Sequence, residues 1–167
     1  NVGGKLHLLE IQNGYNVTTL GAFTATFLRV PTLLADAGGD ILVLNATGAD
    51  VGVYRTPLNS FSLTTVAHNS VNANFTAPFA MEHDLNSGDL IVLDARNKLH
   101  RISPNGSVTT VTFILPPAIS IAVTGNAHID FATGLVCLAY TNYLLTVDPQ
   151  TGAVTTLVGP TPNGNSI

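Results

Sequence analysis

Four short segments recur along this chain at nearly constant spacing. They are Asn16-Val-Thr-Thr-Leu20, Ser62-Leu-Thr-Thr-Val66, Ser107-Val-Thr-Thr-Val111 and Ala153-Val-Thr-Thr-Leu157. Their first threonines, Thr18, Thr64, Thr109 and Thr155, lie 46, 45 and 46 residues apart. Such regularity means that one unit was copied, and each copy must fold in the same way. A second motif precedes three of these segments: Gly39-Asp-Ile-Leu-Val-Leu44, Gly88-Asp-Leu-Ile-Val-Leu93 and the looser Gly134-Leu-Val-Cys-Leu138. Between the two motifs lies a further short run. Lys5-Leu-His7 and Lys98-Leu-His100 open two copies of it, and Asn13-Gly14, Asn105-Gly106 and Thr151-Gly152 close three.

The units read as strands. Val, Ile, Leu and Thr fill them, and Gly, Asn, Asp and Pro punctuate them. Ser107–Val111 is made almost wholly of Val and Thr, the residues of a half-buried strand. Asn-Gly before such a run marks a hairpin, because Gly takes a positive φ without steric cost. No segment carries a convincing apolar period of 3.6. One copy therefore predicts four antiparallel strands, A to D, within about 46 residues, the dimensions of a β-propeller blade. The A strands fall at Thr32–Asp36, Phe79–Asp84 and Ile119–Ala127, and the B strands at Asp40–Leu44, Asp89–Leu93 and Leu135–Tyr140. The C strands fall at Gly52–Thr56, Lys98–Ser103 and Tyr143–Asp148, and the D strands at Ser62–Val66, Val108–Phe113 and Val154–Val158. A C–D pair at Lys5–Ile11 and Asn16–Phe23 opens the chain. The fold class is all-β: one partial propeller with a half blade (1–23), three blades (24–66, 67–113 and 114–159) and a tail (160–167).

The run from Ser87-Gly-Asp-Leu-Ile-Val-Leu-Asp94 through Asn105-Gly-Ser-Val-Thr-Thr-Val111 resembles a blade of the NHL/YVTN-type β-propellers. Thr146-Val-Asp-Pro-Gln-Thr-Gly-Ala-Val154 is similar to the turn of those blades and of quinoprotein-like ones. The resemblance covers nearly the whole chain. The blade at Asp50–Ser60 departs from it, with Pro57-Leu-Asn59 where the others have Asn-Gly or Thr-Gly. The resemblance implies a fold and leaves activity open, since such blades occur in binding scaffolds, lyases and lactonases alike.

Propellers close with 4–8 four-stranded blades. Three and a half blades leave the opening hairpin without A and B strands, and its inner edge would expose unpaired backbone groups. Three arrangements are open: a part of a longer propeller, a chain completed by a second copy, or a distorted ring closed alone. Charged residues are only 10% of the chain, against about 25% in an ordinary domain. Surfaces that end buried against protein are depleted in charge, which favours the first two arrangements. The expected partner is the chain itself or the remainder of a longer propeller.

Six Lys and Arg against ten Asp and Glu give a net charge of −4, no footprint for nucleic acid. The longest run without a charged residue, Ile102 to Ile129, contains Pro104, Gly106, Pro116, Pro117 and Gly125, which would break a spanning helix. No membrane insertion is expected. The chain opens on Asn1 rather than Met and has no signal-peptide pattern, so a processed, excised or recombinant product is expected. One cysteine, Cys137, excludes an internal disulfide and a cysteine-rich zinc site. Its place in an apolar strand predicts an inert buried thiol.

No serine-nucleophile, phosphate-loop or dinucleotide fingerprint is present. Asp36, Asp84 and Asp130 align at the A–B turns, 48 and 46 residues apart, which could set three carboxylates around one rim of a channel. With His128 they form the runner-up metal set, which the resemblance allows because propeller lyases and lactonases carry axial metals. Leu34, Glu82 and His128 share one position, however, and a ring of ligands needs matched donors. The favoured reading is that each Asp caps its own turn. His7 and His100 sit at one repeated position and are read as a product of duplication. No metal or other cofactor is expected.

The loop from Ala67 to Pro78 is the longest D–A connection. With Arg29 from the preceding one, its His68, Asn69, Asn72 and Asn74 are the candidate ligand-face residues. Four Asn-x-Ser/Thr sequons occur, at Asn16, Asn45, Asn74 and Asn105, about as many as chance gives. The last three are expected in turns that tolerate a glycan. Few Lys and many Thr, Asn and Val suit an extracellular or cell-surface protein. The expected function is a non-enzymatic structural or protein-interaction module; the alternative is a fragment of a propeller lyase or lactonase with an axial metal.

Overall fold

A computed structural model describes residues 5–10, 16–22, 32–35, 38–46, 51–57, 63–72, 75–95, 97–116, 126–130, 132–140 and 143–159. Every regular element among them is a β-strand. Strands β1 (Lys5–Glu10) and β2 (Asn16–Ala22) pair as an antiparallel hairpin. The first sheet holds β3 (Thr32–Ala35), β4 (Ile41–Asn45), β5 (Gly52–Thr56) and β6 (Thr64–His68). The second holds β7 (Pro78–His83), β8 (Leu90–Asp94), β9 (Lys98–Ile102) and β10 (Val108–Thr112). The third holds β11 (Asn126–Asp130), β12 (Leu135–Tyr140), β13 (Tyr143–Val147) and β14 (Val154–Val158). Each sheet is an antiparallel meander in chain order. No helix among the described residues is long and apolar enough to cross a membrane.

Two cores stack the sheets face to face. Leu42, Leu44 and Val53 of the first sheet meet Met81, Leu90, Val92 and Ile102 of the second. Ile91, Leu93, Leu99 and Phe113 on the opposite side of the second sheet meet Ile129, Val136, Leu138, Leu145 and Val147 of the third. The period of two along β8 sends alternate residues into different cores, so all five residues of this strand are buried. The opening strands of neighbouring sheets lie side by side, β7 between β3 and β11.

Three sequence expectations are corrected. The first strand of the third sheet is Asn126–Asp130, not Ile119–Ala127, because β12 pairs with the residues just before the Ala132-Thr-Gly134 turn. The apolar run that suggested the earlier position lies largely outside the described residues. In the first sheet, the closing strand is Thr64–His68 rather than Ser62–Val66. A bulge at Val53/Tyr54 resets the pairing of β5 with β6. Finally, β12 is not covered on both faces as β4 and β8 are: Val136 and Leu138 are buried, but Cys137 is half-buried and Ala139 exposed.

Candidate ligand face and turn rim

The connection from β6 to β7 is fixed at both ends. At its start, the Asn69 N–H donates to the Val51 carbonyl at 2.9 Å, and the Val71 and Asn72 N–H groups donate to the His68 carbonyl at 3.1 and 2.8 Å. The Ser70 N–H donates to His68 Nδ1 at 3.0 Å, so that nitrogen is an acceptor and the ring proton belongs on Nε2. The ring meets Tyr54 edge-on, 6.1 Å between centroids. At the far end Phe75 is buried, and Thr76 and Ala77 grip the carboxylate of Asp94. The tip between these anchors presents Val71, 87% exposed. Of the five ligand-face residues expected, His68, Asn69 and Asn72 thus lie together on an anchored loop; Arg29 and Asn74 lie outside the described residues.

The grip on Asp94 was not foreseen. The Thr76 N–H donates at 2.7 Å, the Thr76 hydroxyl at 2.8 Å and the Ala77 N–H at 3.0 Å. The His100 Nε2 lies 3.7 Å away, and its Nδ1 is 2.9 Å from the Thr110 hydroxyl. Burial pushes the Asp94 carboxyl up. The facing imidazole and the three donors outweigh it and hold the group well below the usual carboxylate range. This network ties a loop and three strands of the second sheet together. Its only signal in the sequence was Asp94 at the end of an otherwise apolar strand.

The aspartates of the turn rim are engaged locally. Asp84 accepts the Asn86 N–H at 3.0 Å and the Ser87 hydroxyl at 2.6 Å, and Asp130 does the same with Ala132 at 3.1 Å and Thr133 at 2.6 Å. Asp148 accepts the Gln150 N–H at 2.7 Å in a turn of the same build. Gly88, Gly134 and Gly152 close these turns by donating to the carbonyl of the Asp four residues back. All three have positive φ. Against the upward push of burial, the Ser87 hydroxyl, the turn N–H groups and Arg101 lower the Asp84 pKa. The Thr133 hydroxyl leads in lowering Asp130. His128 does not join these carboxylates as a cluster; it faces Glu82 across the β7–β11 contact, 3.4 Å apart. Among the described residues no three His, Cys, Asp or Glu side chains converge as metal ligands. Asp36 lies outside the described residues.

A polar cleft of about 440 Å³ opens between the turns of the second and third sheets, lined by Asp84, Ser87, Arg101, Thr133, Asp148 and Gln150 among others. Arg101 pairs with Asp89 and also lowers the Asp148 pKa from a distance, after the backbone and hydroxyl donors of that turn. Of the sequons, Asn105 is exposed in the turn between β9 and β10, where its Oδ1 accepts the Ser107 N–H at 3.0 Å. Asn45 was expected in a turn but is the last residue of β4, and it is 2% exposed. Asn16 opens β2, and Asn74 lies outside the described residues. Cys137 is half-buried rather than buried. No protein-family model matches the chain, and no curated protein matches it, so the geometry itself carries the functional reading.

Proposed function

We propose that this chain is a non-enzymatic interaction module made of β-propeller blades of the NHL/YVTN type, completed by neighbouring polypeptide or by a second copy of itself. One observation carries the reading: the second sheet is buried on both faces between its neighbours, whereas the third leaves Cys137, Ala139 and Leu144 partly or fully exposed on the side away from the core. A sheet sandwiched on one side and only partly covered on the other, where Thr146 is buried but Ala139 and Leu144 are exposed, has a surface fit for another blade. Asp84 and Asp130, two of the aspartates that a propeller enzyme would offer to a metal, each accept hydrogen bonds from their own turn. An extracellular or cell-surface setting suits the sparse charge and the exposed Asn105 sequon.

Sedimentation velocity at micromolar concentration tests this reading, together with amide exchange of β1 and β14. The expected result is a dimer or larger species with those strands protected. A monodisperse 17.4 kDa monomer with both strands exchanging freely would refute it.

A further inference from the structure

One register recurs on the face that each sheet turns toward the next. In the first sheet Leu42 pairs with Arg55 and Leu44 with Val53. In the second Ile91 pairs with Arg101 and Leu93 with Leu99. Leu42, Leu44 and Val53 pack on the second sheet, and Ile91, Leu93 and Leu99 pack on the third. Each arginine also pairs with the aspartate that precedes the second strand of its sheet, Arg55 with Asp40 and Arg101 with Asp89. The third sheet repeats the register with Cys137 against Thr146 and Ala139 against Leu144. Thr146 stands in the arginine position, and Leu135 follows Gly134 where Asp40 and Asp89 follow Gly39 and Gly88. Strands β12, β13 and β14 contain no Asp, Glu, Lys or Arg. Thr146 is buried and Cys137 half-buried, but Ala139 and Leu144 are exposed. The other end of the stack is covered. Val43, between Leu42 and Leu44, faces away from the second sheet and is 0% exposed. On the same side Ile41, Tyr54 and Thr56 are buried or half-buried.

We infer that the open face of the third sheet packs against the same face of a second copy, about a twofold axis. This rests on the reading that the chain is completed from outside, and it selects a second copy as the source. The symmetry follows from the stack having one open end. A head-to-tail contact needs the outer face of the first sheet as its counterpart, and that face is covered. A contact in which both copies use the same patch is isologous, and it closes at two. Charge agrees. Each copy carries −4, so like charges oppose close approach over most of the surface. Strands β12–β14 bring two copies together with no charge set against charge. The first two sheets carry an Arg–Asp pair on this face, which a dry contact would have to desolvate. The third sheet has none to bury. Cys137 and Ala139, smaller than Ile91 and Leu93, leave a flatter surface for a facing sheet.

The test is sedimentation equilibrium of the whole chain, run beside alkylation of Cys137 with iodoacetamide. Cys137 is the only cysteine, so the label reports this face alone. The expected result is a monomer–dimer equilibrium without larger species. The alkylation rate should fall at least tenfold between concentrations below and above the dissociation constant. Ala139→Arg, at an exposed position, should weaken the dimer at least a hundredfold. Val71→Arg, which replaces the most exposed large apolar side chain among the described residues, should leave it within threefold. A chain that stays monomeric at micromolar concentration overturns both this inference and the reading beneath it. A dimer whose Cys137 reacts at a constant rate, or that Ala139→Arg leaves intact, overturns the inference alone, and so do species that keep growing with concentration. The alkylation measurement uses the unaltered chain and decides the matter should Ala139→Arg fail to fold.

Discussion

The imidazole of His100 lies nearly parallel to the ring of Phe75, 4.3 Å between centroids and 15° between planes. Phe75 belongs to the connection that follows β6 and His100 to β9, so this contact pins the candidate ligand loop to the second sheet. Phe75→Ala removes the stack and leaves a cavity beside a buried histidine, at a cost of about 3–5 kcal/mol. Thermal unfolding should show that loss, and amide exchange of Ser70–Asn72 should accelerate with it. A Phe75→Ala chain of unchanged stability would mean that the loop is not anchored there.

The Asp94 network makes the fold acid-sensitive. A carboxyl depressed in the folded state stabilises the fold above its unfolded value, near 4, and that contribution is lost as pH falls through the folded value. Melting temperature should therefore hold from about pH 7 to 5 and fall below about pH 4. Asp94→Asn should lose about 2–4 kcal/mol at neutral pH, since charged hydrogen bonds are exchanged for weaker ones. It should also show a shallower acid limb. Equal acid slopes in both proteins would show that Asp94 does not govern the transition.

Gly106 and Gly152 share a positive φ and the same place in their turns, yet their surroundings differ. Gly106→Ala should cost about 1–2 kcal/mol, the backbone strain alone. Gly152→Ala adds a collision with the Thr112 carbonyl and should cost at least about 1 kcal/mol more. Chemical denaturation of the two variants side by side checks the difference.

Ile91 and Cys137 occupy matching places on β8 and β12, but only Ile91 is fully covered. Ile91→Ala should cost about 2–5 kcal/mol. Cys137→Ala should cost less than about 1 kcal/mol in the monomer, and more under conditions where the third sheet gains a partner. Equal losses at all concentrations would contradict an open face on that sheet.

For the turn rim, Asp84→Asn removes the charge from the acceptor of the Ser87 hydroxyl and should cost about 1 kcal/mol. Metal content of the purified chain should be the same with and without Asp84→Asn and Asp130→Asn combined. Stoichiometric calcium or zinc lost in that double variant would make the rim a metal centre.

Most strand positions were legible because local chemistry dictates them. Val-Thr-Thr runs, apolar Leu-Ile-Val-Leu runs and Gly-closed Asp turns need no distant contact to be recognised, and their observed bounds fall within a residue or two of expectation. The exceptions have identifiable causes. Thr64–His68 slid because β6 carries an extra residue, Val66, opposite the Val53/Tyr54 step of β5, and such a bulge is set by the pairing of two strands rather than by either sequence alone. Asn126–Asp130 was displaced by a more strand-like apolar run, although proximity to its hairpin turn decides pairing. Asn45 read as a turn residue because Asn favours turns, and its burial follows from packing alone.

The candidate sites divide in the same way. That Asp84 and Asp130 cap their own turns was readable, because a carboxylate two and three residues before donors forms those bonds locally. The Asp94–Thr76 grip spans 18 residues of sequence, and no local pattern announces it. The open face of the third sheet depends on which strands the rest of the chain leaves uncovered. Sequence by itself determined the all-β content, the register of turns and the alternation that splits β8 between two cores, since these follow from backbone geometry and side-chain period. Only the tertiary structure decided which faces are covered, which turn stands close to its neighbour and which stands off, because those outcomes depend on how whole sheets pack, and two copies of one motif can pack differently.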